Sequence, residues 1–162
     1  MLNEVKSKSA LLNDTSIEIA ELIKEVLADQ FVLYTKARNY HWNVTGSQFY
    51  NLHSAFEKIY DELAEDIDST AERIRTLGLK APGTMQEFLS LSSLKEEPGK
   101  YPEASIMVQK TISDFEVIVG KLDSSAHKMQ NDYQDEVTAG MFYGLMEKYQ
   151  KTVWMFKSLI EE

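Results

Sequence analysis

The sequence contains no cysteine, three prolines and seven glycines among its 162 residues. Without cysteine there are no disulfides and no thiolate ligands, so any bound metal must be held by oxygen and imidazole groups, which suits iron, manganese or zinc. Because helix breakers are scarce and 43% of the residues are hydrophobic, we predict a compact, mostly helical protein of a single domain.

Long apolar runs and an excess of basic residues are also missing. No segment approaches the roughly 20 apolar residues of a membrane span, and residues 1–14 lack the apolar centre of a signal peptide. We therefore expect a cytoplasmic protein without membrane contacts. The 17 basic residues against 26 acidic ones give a formal charge of −9, which disfavours binding to a phosphate backbone.

Four long segments place apolar residues at every third or fourth position, the spacing of one face of a helix. The first segment is predicted to begin at a cap among Asp14, Thr15 and Ser16, after a mobile tail of residues 1–13, and to run to His41. The others are residues 47–77, 103–130 and 134–160. Residues 14–162 are thus predicted to form one four-helix domain.

The connection between the second and third helices is too long for a tight turn. Residues 84–91 within it have the composition of a short helix, and Pro98, Gly99 and Pro102 mark its far end. A long crossover at this point is typical of ferritin-like connectivity. We therefore predict an all-α, ferritin-like four-helix bundle with a short extra helix between helices 2 and 3.

The second helix carries a row of acidic and imidazole side chains beside its apolar stripe, and the row contains no base before Arg75. Its members are His53, Glu57, Asp61, Asp68 and Glu72. Residues four apart share a helix face, so His53 with Glu57, and Asp68 with Glu72, could each bind one ion. The alternative is a set of solvated or salt-bridged helix charges.

The spacing of the two pairs limits how they can act together. Fifteen residues separate His53 from Asp68, which on a straight helix is about 22 Å, whereas metal–ligand bonds are about 2 Å long. If both pairs belong to one site, a second copy of the chain must bring its Asp68 and Glu72 to the first copy's His53. The pattern therefore indicates a metal site at a subunit interface.

Three other polar groups each allow two interpretations. The apolar seam of the first helix ends at His41, which is either a ligand or a hydrogen-bonded core residue. Asp123 and His127 are four residues apart in a polar turn, where we expect a surface pair. An acidic group at the start of the fourth helix either complements the helix dipole or lines a cation pore. Its members are Asn131, Asp132, Asp135 and Glu136.

No glutamate stands three residues before a histidine, so the chain differs from standard in-bundle diiron proteins. It resembles instead the Dps family, the miniferritins or DNA-protection proteins of starved cells, from about Leu11 to its end. The motifs that carry the resemblance are His41-Trp42-Asn43-Val44 with Gly46, Phe49, Leu52-His53, Asp61-Glu62-Leu63-Ala64-Glu65, Asp68, and Ala71-Glu72-Arg73-Ile74.

The resemblance implies a hollow homododecamer with an intersubunit ferroxidase centre. His41 and His53 of one chain would bind iron together with Asp68 and Glu72 of another chain. Glu57 occupies a position where many members have aspartate, and it would bind a second iron. The implied reaction is oxidation of Fe(II) to Fe(III), preferentially with hydrogen peroxide, followed by storage of the ferric mineral and protection of DNA from oxidative damage.

The resemblance also suggests accessory roles. Trp42, next to His41, could absorb a single stray oxidising equivalent, although packing at an interface is the alternative. Asp132 and Asp135, with Glu136 behind them, are the pore candidates.

Two other functions remain open at the level of sequence. One is a DNA-binding architectural protein whose iron site is secondary. Members of the family that bind DNA directly often have longer lysine-rich tails, whereas this chain has Lys6 and Lys8 near its start and ends in Glu161-Glu162. Direct DNA binding is therefore doubtful, and we favour iron oxidation and storage over DNA compaction as the function. The other is a structural bundle with accidental histidines.

Overall fold

The computed structural model describes the backbone of residues 2–160 and the side chains of residues 14–160. It contains five α-helices, which are α1 (Leu2–Asn43), α2 (Phe49–Thr76), α3 (Met85–Leu91), α4 (Ala104–Lys128) and α5 (Glu136–Lys157). A π-helical turn, Met129–Tyr133, joins α4 to α5. The described backbone has no strand, and none of its helices is long and apolar enough to cross a membrane. The predicted all-α bundle with a short helix in the crossover is confirmed.

The first helix begins earlier than predicted. Because α1 starts at Leu2, the predicted start at a cap in residues 14–16 is wrong. No glycine or proline occurs from Leu2 to Asn43. A residue that can cap a helix does not by itself start a new one when the helical backbone continues through it. The side chains of residues 1–13 lie outside the described part, and the mobile tail stays a prediction.

The core lies where the four long helices pack their apolar faces together. Helical spacing predicts an apolar stripe on α2, of which Ile67 is half-buried and the other members are fully buried, namely Leu52, Phe56, Ile59, Leu63 and Ile74. Phe56 packs against Phe156 of α5 with ring centroids 5.7 Å apart, so the stripe ties the second helix to the last. This packing determines which face of α2 remains available for chemistry.

A buried carboxylate holds the crossover against the bundle. Asp29 of α1 is fully buried and accepts hydrogen bonds from the hydroxyl of Ser92 at 2.7 Å and from the backbone N–H of Ser93 at 2.7 Å. The ammonium group of Lys121, on α4, lies 2.5 Å from the same carboxylate. The crossover is thereby joined to two helices after α3 has ended. The sequence pattern did not indicate this role, because Asp29 belongs to no motif.

The turn between α4 and α5 contains a residue in a conformation that is unfavourable for a side chain. Gln134 has φ of +54° and ends the π-helical turn, with its N–H donating to the carbonyl of Met129. The turn also shifts the start of α5, so that Thr138 and Ala139 face the core while Val137 is 67% exposed. Helical spacing in the sequence predicts an apolar seam on this helix formed by Val137, Met141, Leu145, Tyr149, Val153 and Phe156. The prediction is wrong at Val137.

Replacing Gln134 with glycine is expected to stabilise the protein by about 0.5–1 kcal/mol. Glycine adopts positive φ without the clash that a Cβ atom introduces, and its N–H can still donate to Met129. The measurement is the midpoint of urea or thermal unfolding. Gln150→Gly is the control, because it places the same substitution on the exposed face of α5, where it should destabilise by about 1 kcal/mol. A lower midpoint for Gln134→Gly would contradict the prediction.

Candidate metal centre

The two histidines implied as ligands come together at one end of the bundle. His41 lies in the last turn of α1 and His53 in the second turn of α2, and the loop between the helices contains Gly46 at φ of +104°. The imidazole rings stack with centroids 3.7 Å apart. The Nδ1 atom of His41 lies 2.8 Å from the carbonyl oxygen of His53, and the Nδ1 atom of His53 lies 2.8 Å from the carbonyl oxygen of His41.

This reciprocal pairing determines which ring nitrogens are available for other ligands. A carbonyl oxygen only accepts hydrogen bonds, so each Nδ1 atom must carry the hydrogen and donate. In a neutral imidazole the Nε2 atom then holds the lone pair. A hydrogen bond from one ring nitrogen that orients the other is the usual arrangement for metal-binding histidines. Both rings are therefore prepared to bind a metal ion through Nε2.

A cluster of three aromatic residues around one arginine lies beside His41. It consists of Tyr34, Arg38 and Trp42 on α1 and Tyr60 on α2, and we call it the Arg38 cluster. The guanidinium carbon of Arg38 lies 4.6 Å from the ring centroid of Tyr60 and 5.5 Å from the ring of Trp42, distances at which a cation is attracted to an aromatic face. Tyr60 also meets His41 edge-on at 5.3 Å.

Of the four residues in this cluster, Trp42 was singled out from the sequence and the other three were not. The four-residue steps from Tyr34 to Arg38 to Trp42 were a usable signal, because they place the three side chains on one face of α1. Trp42 itself is 65% exposed. The contact from α2 through Tyr60 had no sequence signal, since it depends on how the two helices pack.

The carboxylates implied as ligands all lie exposed on α2. Glu57 is one turn beyond His53, and its Oε1 atom accepts a hydrogen bond of 3.4 Å from the hydroxyl of Tyr60. Asp68 and Glu72 are farther along the same unbroken helix, so a rise of about 22 Å separates His53 from Asp68. Among residues 14–160 there is no group of three or more histidine, aspartate or glutamate side chains that could hold a metal ion. Within one chain the histidine pair and the acidic pair remain apart.

Asp135, in the acidic group near the start of α5, forms an ion pair and caps the helix. Both carboxylate oxygens of Asp135 lie 2.9 Å from Nη2 of Arg73, and the same side chain caps α5 by accepting from the backbone N–H of Thr138. This ion pair joins α2 to α5 and, together with the cap, favours the alternative in which Asp135 complements the dipole of α5, while its pore role stays a prediction. Asp132 and Glu136 are exposed, and their pore role stays a prediction.

The third histidine lies apart from this site. The Nδ1 atom of His127 is 3.5 Å from a carboxylate oxygen of Asp123, and both side chains are more than half exposed. The predicted surface pair is confirmed.

Asp135→Asn is expected to unfold at a lower urea concentration than the original protein at pH 6, with the difference narrowing toward pH 3. Burial pushes the pKa of Asp135 upward, but hydrogen bonds from Thr138 and Arg73 outweigh it and hold the pKa below the ordinary value. Such a carboxylate stabilises the fold above its unfolded pKa, about 4, and loses that contribution as the pH falls through its folded pKa. Asparagine keeps the helix cap. A difference between the two proteins that does not change with pH would contradict the prediction.

Known proteins with the ferritin-like fold are similar to this chain over most of its length. The family model of the ferritin-like domain matches residues 20–162. An uncharacterised low temperature-induced protein from Nostoc sp. is 40% identical over 88% of this chain and 80% of its own length. DNA protection during starvation protein 2 from Bacillus anthracis is 36% identical over 90% of this chain and 98% of its own. The crystal structure of a Dps protein from Bacillus brevis, at 34% identity, gives a TM-score of 0.87 and covers 91% of this chain and 98% of that chain. The chain therefore belongs to the Dps family of ferritin-like proteins.

Proposed function

We propose that this protein is a cytoplasmic ferroxidase that oxidises Fe(II), preferentially with hydrogen peroxide, and stores the ferric product inside a hollow dodecamer. The observation that carries the proposal is the stacked pair of His41 and His53, whose mutual Nδ1–carbonyl hydrogen bonds leave both Nε2 atoms free to bind a metal ion. Family membership supports the same assignment.

The site is completed by a second copy of the chain. Asp68 and Glu72 are exposed and are too far from His53 to share a metal ion with it inside one protomer. In a two-fold pairing of antiparallel α2 helices, the acidic pair of each chain can meet the histidine pair of the other, so one interface carries two equivalent sites. Twelve chains then make twelve sites.

The ligand set suits the oxidation of two ferrous ions together. The imidazoles bind the first Fe(II), and the carboxylates of Asp68, Glu72 and Glu57 provide hard oxygen ligands that favour the ferric product. Hydrogen peroxide takes up two electrons. Two Fe(II) ions supply one electron each, and with two protons the peroxide becomes two molecules of water. No hydroxyl radical is released, which would protect DNA without contact between protein and DNA.

The proposal is tested by mass in solution and by redox stoichiometry. Sedimentation should give twelve times the 18.6 kDa of one chain. Anaerobic loading with Fe(II) followed by a peroxide titration should reach its ferric absorbance endpoint at two Fe(II) per peroxide, and peroxide should oxidise the iron faster than dissolved oxygen does. A stable monomer would overturn the intersubunit site. An endpoint of one Fe(II) per peroxide would overturn the two-electron reaction.

Protection of DNA is proposed as a consequence of this chemistry. Plasmid exposed to Fe(II) and peroxide should remain intact when the protein is present, while a gel shift at low salt should show no retention of DNA, because the chain carries a charge of −9. Retention that disappears when residues 1–10 are removed would favour the architectural alternative.

A further inference from the structure

Glu57 has a polar contact that the ferroxidase chemistry described above does not use. Its carboxylate is exposed on α2, and its Oε1 atom accepts a hydrogen bond from the hydroxyl of Tyr60 at 3.4 Å. An exposed glutamate side chain has three rotatable bonds and loses conformational freedom when it binds a metal ion. A donor that holds the carboxylate in place before the ion arrives reduces this loss.

Tyr60 is itself held firmly enough to act as such a donor. The guanidinium group of Arg38 lies over its ring at 4.6 Å. The rings of His41 and Tyr34 meet it nearly at right angles, with centroid distances of 5.3 and 6.2 Å. Arg38 is in turn bound by Nη1 to the hydroxyl of Tyr34 at 2.7 Å. These partners all lie on α1, whereas Tyr60 lies on α2, so the position of the Tyr60 ring and its hydroxyl is determined by the packing of the two helices.

We propose that Tyr60 is a positioning residue that holds Glu57 as a ligand for the second of the two metal ions. This inference rests on the proposed function, because it concerns the same site. A single hydrogen bond to Oε1 leaves the Oε2 atom of Glu57 free to bind the ion, in the manner of the groups that orient ligands in other metal sites. His41 and His53 are oriented by each other's carbonyl groups rather than by Tyr60. The second ion therefore depends on Tyr60, and the first does not.

The test is a titration of the assembled protein with Co(II) under anaerobic conditions. Binding is measured by calorimetry and by the visible absorption of the bound ion. The original protein should bind two Co(II) per chain in separate steps. Tyr60→Phe keeps the ring beneath Arg38 and removes the hydroxyl, so the first step should be unchanged and the second weakened about three- to tenfold, the effect of one lost hydrogen bond. Tyr143→Phe is the matched control, since it removes a hydroxyl that donates a similar hydrogen bond of 3.3 Å to Gln130, away from the histidine pair and the Arg38 cluster, and it should leave both steps unchanged.

A double substitution separates positioning from packing. Glu57→Gln should remove the second step, and adding Tyr60→Phe to it should leave the first step unchanged, whereas a general packing defect would weaken that step. The inference is overturned if Tyr60→Phe leaves both steps intact, if it weakens both equally, or if the original protein binds one Co(II) per chain. Failure of the original protein to bind any Co(II) would overturn the proposed ferroxidase site as well, so the two failures are distinguishable.

Discussion

A chain carrying His41→Ala and His53→Ala is expected to lose ferrous oxidation by about 100-fold or more, since removal even of groups that only support metal ligands costs 10–100-fold. A chain carrying Asp68→Ala and Glu72→Ala should lose as much, although these residues lie about 22 Å along α2 from the histidine pair. Activity is measured as the rate at which ferric absorbance increases after anaerobic loading with Fe(II) and addition of peroxide.

Mixing the two defective chains should restore part of the activity. In an interface that pairs one chain of each kind, one of the two sites has all four ligands and the other has none. Random pairing of equal amounts then restores about a quarter of the original sites. The restored rate should appear after co-expression, or after joint unfolding and refolding, and should be absent when assembled mutants are simply combined without exchange of chains.

His127→Ala provides the control for histidine loss, because His127 pairs with Asp123 on the surface of α4. This variant should oxidise Fe(II) at the same rate as the original protein. If each double mutant assembles but their co-assembly restores no activity, the proposed sharing of ligands between chains is wrong. Full activity in the Asp68 and Glu72 variant alone would contradict the acidic half of the site.

The largest expected effect on stability follows from Asp29→Ala, which should destabilise the fold by about 3–5 kcal/mol. Alanine removes the buried acceptor of Ser92 and Ser93 and leaves the ammonium group of Lys121, 18% exposed, without the carboxylate that lies 2.5 Å away. Removing one partner of a buried ion pair costs more than the pair contributes, because the remaining charge is poorly solvated. Urea unfolding followed by helical circular dichroism measures the change.

Glu25→Ala is the matched control for this prediction. Glu25 is one turn before Asp29 on α1 and its carboxylate is 3.7 Å from the same Lys121, but it is 48% exposed, so its loss should change the unfolding free energy by less than about 1 kcal/mol. Replacing Lys121 with methionine in the Asp29→Ala background should recover part of the stability. Equal losses of unfolding free energy in Asp29→Ala and Glu25→Ala would contradict the prediction that burial of Asp29 makes its removal more destabilising.

The features that were predictable before the structure depend on residues close together in the chain. Apolar residues at helical spacing indicated the four long helices, because each helix must bury one face. The composition of residues 84–91 indicated the short helix of the crossover. The row from His53 to Glu72 on α2 was visible for the same reason, since residues four apart share a face. The rise of a helix was enough to show that the two ends of this row are too far apart to bind one metal ion within a single chain.

Contacts between residues far apart in the chain required the folded molecule. Arg73 looked like a base near the end of a helix, yet it neutralises Asp135, 62 residues later. Asp29 belonged to no motif, yet it holds the crossover. Tyr60 belonged to no motif, and it reaches Arg38 and His41 because α1 and α2 pack side by side. Helical periodicity specifies which face a residue occupies, whereas the partner opposite that face depends on the packing of whole helices, which local spacing does not encode.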